Sequence, residues 1–107
     1  MTAQGRVIIF SLSEFLKATN NLNGELRPTV ICNDGFSMSI QASKKHYCSP
    51  KADNEKEYKS IEIGIPSEEV PELEKYRFDK YGFANVPFEV AEKIIKKHKG
   101  INFKKTM

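Results

Sequence analysis

An Asp-Gly pair between two β-prone runs, Thr29-Val30-Ile31-Cys32-Asn33 before it and Phe36-Ser37-Met38-Ser39-Ile40-Gln41-Ala42 after it, constrains this chain more than any other stretch. Asp34-Gly35 predicts a tight type I′ hairpin turn, whose two central residues take positive φ, a conformation that glycine adopts freely and aspartate tolerates. Past the turn, Phe36, Met38, Ile40 and Ala42 alternate with Ser37, Ser39 and Gln41, so one face of the strand is apolar and the other polar. That is the pattern of a half-buried antiparallel strand. A third strand is expected over Tyr58 to Ile65, with Ile61, Ile63 and Ile65 on one face and Ser60, Glu62 and Gly64 on the other. Pro66 ends it, because proline cannot donate to the ladder.

Two helices are expected to frame the hairpin. Ser11-Leu12-Ser13-Glu14 matches a capping box, in which the Ser11 hydroxyl takes a first-turn amide and Glu14 reaches back to the Ser11 amide. Phe15, Leu16, Ala18 and Leu22 supply an apolar stripe, and Asn20-Asn21 with Asn23-Gly24 a stop, so the helix is expected over Leu12 to Leu22. The second helix is expected over Pro87 to Lys99, with Asn85 or Val86 at its cap. Phe88, Val90, Ala91, Ile94 and Ile95 repeat at helical spacing, acids precede lysines as the dipole favours, and Gly100 closes it. Pro66 to Val86 holds two prolines, several acids and Tyr76, Phe78, Tyr81 and Phe83, which suggests irregular structure clamped by aromatics. Pro71 makes a turn the expectation over a helix at Glu68 to Tyr76. Val7 to Phe10 is expected as a short strand, and Ile101 and Phe103 as a return to the core before a basic tail. A chain of 107 residues has room for one domain. The fold class expected is α+β, a small antiparallel sheet built on a central β-hairpin and packed on one face by two helices. The expected core is Phe10, Phe15, Leu16, Val30, Phe36, Met38, Ile40, Ile61, Ile63, Val90, Ile94 and Ile95.

Val7 to Phe10 is the longest apolar run, far short of the roughly 20 residues that span a bilayer, and the N-terminus lacks signal-peptide character. A cytoplasmic chain without membrane partners follows as the expectation, with Cys32 and Cys48 reduced. The net charge of +3 is unevenly placed. From Asp53 to Asp79 acids outnumber Lys and Arg, whereas after Glu92 no acid remains beside Lys93, Lys96, Lys97, Lys99, Lys104 and Lys105. Such polarity matters for steering partners rather than for the fold.

Five candidate sites follow from the residue types. Cys32, His46, Cys48 and His98 are the residues that suit tetrahedral zinc, but their spacing matches no zinc motif, so no metal or other cofactor is expected. His46 and Cys48, two apart on an extended segment, face one way as a base and nucleophile would, yet no third orienting group is identifiable. The polar strand face, Ser37, Ser39 and Gln41 with Tyr58, Ser60 and Glu62, brings hydroxyls, an amide and a carboxylate together near His46 and Tyr47. It reads either as an ordinary solvated sheet face or as a surface for a ligand or partner. The C-terminal lysines could track nucleic-acid phosphates, although a helix dipole and solubility also account for them. The acidic stretch with Glu68, Glu69 and Glu72 could dock on a basic protein. None of these fixes a reaction, so a non-enzymatic role leads.

The residues Asp34-Gly35-Phe36-Ser37-x-Ser39-x-Gln41-Ala42-Ser43, then His46-Tyr47-Cys48-Ser49-Pro50, then Ile61-Glu62-Ile63-Gly64-x-Pro66-Ser67 resemble a family of small uncharacterised bacteriophage proteins. Tyr81-Gly82, Val86-Pro87 and Lys99-Gly100-Ile101 also fit. The resemblance implies a phage accessory protein in a bacterial cytosol, and by analogy a binding protein directed at host machinery, such as the defence systems that anti-CRISPR proteins block. The leading expectation is therefore a protein that inhibits a host protein or complex by direct association. It would act through Ser37, Ser39, Gln41, His46, Tyr47, Cys48, Tyr58, Glu62, Glu68, Glu69 and Glu72. The alternatives are nucleic-acid binding through the C-terminal lysines, and a small-ligand binder or enzyme using Ser39, Gln41, His46, Cys48 and Glu62.

Overall fold

Sidedness in the strand segments and one buried arginine decide how this chain packs. The structure, a computed structural model, describes residues 10–20 and 26–107. Strands β1 (Val30–Ile31), β2 (Ser37–Gln41), β3 (Ser60–Gly64) and β4 (Gly82–Pro87) form an antiparallel sheet in the order β1-β2-β3-β4. Register sets the two faces. Val30 lies opposite Met38, Ile40 opposite Ile63, Ile63 opposite Phe83 and Ile61 opposite Val86, and all of these are buried. Ser39 lies opposite Gly64 and Gln41 opposite Glu62 on the other face, called the outer face below.

Helices α1 (Leu12–Ala18) and α2 (Phe88–Lys97) add Leu12, Phe15, Leu16, Ala91, Ile94 and Ile95 to the same apolar cluster. The chain is thus an α+β domain. Of the expected core, only Phe10 and Val90 are partly rather than fully buried. The capping box at Ser11 and Glu14 is present in both directions. The first helix is shorter than its apolar stripe suggests, ending at Ala18 with Thr19 as its cap. Leu22, the Asn-Gly stop and Val7 to Ile9 lie outside the described residues. Phe10 packs edge-on against Phe15 and Phe103.

The hairpin turn differs from the expectation. Only Gly35 has positive φ, +95°; Cys32 N donates to Phe36 O, and Gly35 N to Cys32 O. This is a three-residue loop, Asn33-Asp34-Gly35, with a glycine bulge. The reason lies at the other end of the chain. Asn33 N donates to Gly100 O, Asp34 N to His98 O and Asn33 Nδ2 to Lys99 O, so the loop caps the carbonyls at the end of α2. The expected irregular stretch contains β4 and a 3₁₀ turn, Pro71–Tyr76, with Pro71 at its first position, where the missing N–H costs nothing.

Both sheet edges are covered, which removes the usual site of edge-to-edge pairing. Helix α3 (Phe103–Thr106) lies along β1: Asn102 N donates to Ile31 O, and Ile31 N to Thr106 Oγ1. The expected basic tail is therefore anchored. Along β4, Phe78 N donates to Gly82 O and Asn85 N to Tyr47 O. Among the described residues no helix is long and apolar enough to cross a membrane.

Arg27 is buried and ties α1 to the sheet. Its guanidinium donates to Leu16 O, Thr19 Oγ1, Asn20 Oδ1 and Ala42 O, and the Gln41 amide holds both its backbone N–H and its C=O. A cation among the last carbonyls of a helix suits the dipole there, but burial pulls its pKa below the ordinary arginine value.

Candidate functional site

The outer face of the sheet is open in its middle and built up at its rim. Ser37, Ser39, Glu62 and Gly64 are half-buried along it. Beside them the ring of Phe78 lies so close over Gly82 that a Cβ there would come within 2.6 Å of it, so only glycine leaves room. Two amides, those of Tyr81 and Gly82, donate to Asp79 Oδ1 and fix the turn that carries Phe78 onto the face. Tyr47 meets Phe78 edge-on at 4.8 Å between ring centres, and its backbone N–H donates to Glu62 Oε1 at 3.0 Å. At the end of the face, Ile65 N donates to Tyr81 O, and both side chains stand in solvent. Ile65, Tyr47, Phe78 and Tyr81 are thus four large exposed apolar side chains around one end of a polar sheet face.

Charges of both signs surround this end. Glu62 and Asp79 lie within it, whereas Glu68, on the segment leaving Ile65, turns to the helix side of the sheet, with Oε1 3.6 Å from His98 Nε2. Lys51 and Lys80 lie over the Tyr47 and Tyr81 rings at 5.2 and 5.4 Å. Arg77 is consumed by a two-point contact with Glu74 at 2.7 and 3.1 Å, which raises its own pKa and lowers that of the carboxyl. Glu72 pairs with Lys97 at 3.8 Å.

Several expected site residues are used by the fold instead. Gln41 is on the outer face but buried, its amide spent on Arg27 and Ser39. Tyr58 is buried, donating to Ala52 O and accepting from Glu55 N. Ser60, also buried, donates to Asn85 Oδ1. The Cys48 thiol is buried and donates to Ser43 O and Pro50 O, while His46 Nδ1 meets Ser43 Oγ at 2.7 Å. Burial pushes both thiols up, Cys32 to about 11, so neither supplies a thiolate near neutrality. Among the described residues no three His, Cys, Asp or Glu side chains stand together as metal ligands. The C-terminal lysines are split: Lys93, Lys96 and Lys97 lie on the outward side of α2 with Glu89 and Glu92, Lys99 follows it, and Lys104 and Lys105 belong to α3.

A second cluster escaped the sequence reading. His98, buried and stacked on Phe36 with ring centres 3.9 Å apart, has Nδ1 2.7 Å from Asp34 Oδ2 and Nε2 3.6 Å from Glu68 Oε1. Asp34 also accepts from the Phe36 amide, and that bond, followed by the imidazole, holds its carboxyl below the usual range. Ile65 and Tyr81 were missed as surface residues for a different reason: simple alternation put Ile65 on the apolar face with Ile63, and no periodicity marked Tyr81. No protein-family model matches the chain, and neither a curated protein nor a solved structure matches it.

Proposed function

We propose that this chain is a protein-binding module without chemistry of its own, docking through the end of the outer sheet face. On its resemblance to small bacteriophage proteins, its target is a bacterial host protein, of the defence machinery in particular, which it inhibits by direct association. The observation that carries the reading is the set Ile65, Phe78, Tyr81 and Tyr47, large apolar side chains left exposed together beside carboxylates. Aromatic side chains at the centre of a polar rim are what protein interfaces enrich. Nucleic-acid phosphates on this face would meet the carboxylates of Glu62 and Asp79, which suit a partner that brings basic groups to the contact. The small-ligand or enzyme alternative, on Ser39, Gln41, His46, Cys48 and Glu62, is less favoured, because the Cys48 thiol is buried with its pKa raised and the Gln41 amide is spent on Arg27 and Ser39.

The test compares tagged wild-type chain with Tyr47→Ser/Tyr81→Ser and Lys93→Gln/Lys96→Gln variants as bait in bacterial lysate, with circular dichroism to confirm folding. The expected result is a discrete protein held by wild type and by the lysine variant, and lost from the tyrosine variant. Nucleic acid recovered by wild type and lost from the lysine variant would overturn the proposal.

A further inference from the structure

His98 is a buried imidazole set between two carboxylates from different parts of the chain, and its surroundings fix the ring. It caps the end of α2, its backbone C=O accepts from the Asp34 amide, and its ring stacks on Phe36. Nδ1 lies 2.7 Å from Asp34 Oδ2, and Asp34 is itself held by the Phe36 amide. An ionised carboxylate can only accept, so Nδ1 carries a proton whether the ring is neutral or charged. The neutral ring therefore keeps its lone pair on Nε2.

Nε2 faces the second carboxylate, with Glu68 Oε1 at 3.6 Å. In the charged ring an N–H meets this anion and the two attract; in the neutral ring a lone pair meets it and the two repel. One proton thus reverses the sign of the Glu68 contact while Nδ1 goes on donating to Asp34. The ring, stacked and bonded, has no room to turn away. Glu68 is exposed, on a short segment between Ser67, bonded to Ser37 through Ser67 N to Ser37 O and Ser37 N to Ser67 Oγ, and the buried Val70. Glu68 is the partner that yields. The other charges near the ring are Lys97, paired with Glu72, the exposed Lys99, whose C=O accepts from Asn33, and the exposed Glu69; Cys32, ahead of the turn, is buried. Between about pH 5 and 8 imidazole is the ordinary side chain that changes charge.

We infer that His98 is a proton-operated latch, which when charged holds Glu68 and residues 68–70 against the end of α2 and when neutral releases them. The latch is closed at the acid end of that window and open at the alkaline end. The stretch it controls leads from the end of β3 to the 3₁₀ turn at Pro71–Tyr76, so pH sets how firmly this connection is ordered. The inference stands on the geometry of His98, Asp34 and Glu68 and is independent of what the outer sheet face binds.

The experiment titrates the full chain by NMR across about pH 5 to 8, as wild type and as Glu68→Gln, following the His98 ring nitrogens and the amides of residues 68–70. Glu68 is exposed, so the variant keeps the fold, and its carboxamide accepts from the charged ring and donates to the neutral one, which removes the reversal. In wild type the ring is expected to titrate with Nδ1 protonated throughout. The amides of 68–70 are expected to shift with the same midpoint, and their protection factors in hydrogen exchange to fall several-fold as the ring loses its proton. In Glu68→Gln the ring still titrates and the response at 68–70 is lost. A ring that does not titrate in this window, a neutral ring protonated at Nε2, amides at 68–70 that do not follow the ring, or a response as large in Glu68→Gln as in wild type would each overturn the latch.

Discussion

Single residues in this chain divide into those that hold the fold together and those that the fold leaves free. Arg27 is the clearest of the first kind. Its guanidinium satisfies Leu16 O, Ala42 O, Thr19 Oγ1 and Asn20 Oδ1 inside the protein, and its backbone is gripped by Gln41. Arg27→Met keeps most of the side-chain volume but leaves buried acceptors unpaired. It is expected to cost about 2–4 kcal/mol, since each such group costs roughly 1–3 kcal/mol and partial relaxation recovers some of it. A urea titration measures this, and a loss below about 1 kcal/mol would show that the acceptors find other partners. No local pattern marks this role, because an arginine between Leu26 and Pro28 reads as surface. The same holds for Gln41, which alternation correctly places on the polar face, but whose burial depends on Arg27 lying over it.

At the level of elements, local signals carried far and long-range ones did not. The capping box, the alternation of β2 and β3 and the apolar repeat of α2 were legible because each is written within one turn or one strand. Strand β4 was not, since Gly82, Asn85 and Pro87 dilute its pattern and its pairing partners, Ser60 to Gly64, lie 18 to 27 residues earlier. The hairpin turn type was misread for a related reason: its geometry answers to the α2 carbonyls it caps, 64 or more residues away. Of the candidate site, Tyr47, Glu62 and the exposed acids were legible, and Ile65, Phe78 and Tyr81 were not. Asp34 joins the turn to α2 through His98, and its carboxyl is held below the ordinary range by the Phe36 amide and by that imidazole. A lowered folded pKa stabilises the protein above the unfolded value of about 3.9, and the contribution disappears as pH falls through the folded one. Wild type is therefore expected to be more stable than Asp34→Asn above about pH 4 and to lose that advantage below it. Unfolding of both proteins followed from pH 6 to pH 2, as an order-of-magnitude window around that value, checks this. An advantage that persists to the acid end would contradict it.

The whole molecule is a sheet with one face packed under helices, both edges covered and the other face left open. α3 covers the β1 edge, Phe78 and Tyr47 hold the β4 edge, and the C-terminal lysines and the outer-face carboxylates Glu62 and Asp79 occupy different elements. A chain that closes its edges yet leaves Ile65, Tyr81, Phe78 and Tyr47 in solvent has blocked unspecific strand pairing while keeping one apolar surface available. The most direct measurement is amide hydrogen exchange on the complex with the retained host protein, compared with the free chain. Protection is expected to rise over residues 37–39, 47, 62–69 and 78–82 and to stay unchanged over 93–105. Protection confined to 93–105, with the outer face exchanging as in the free chain, would contradict docking through the sheet.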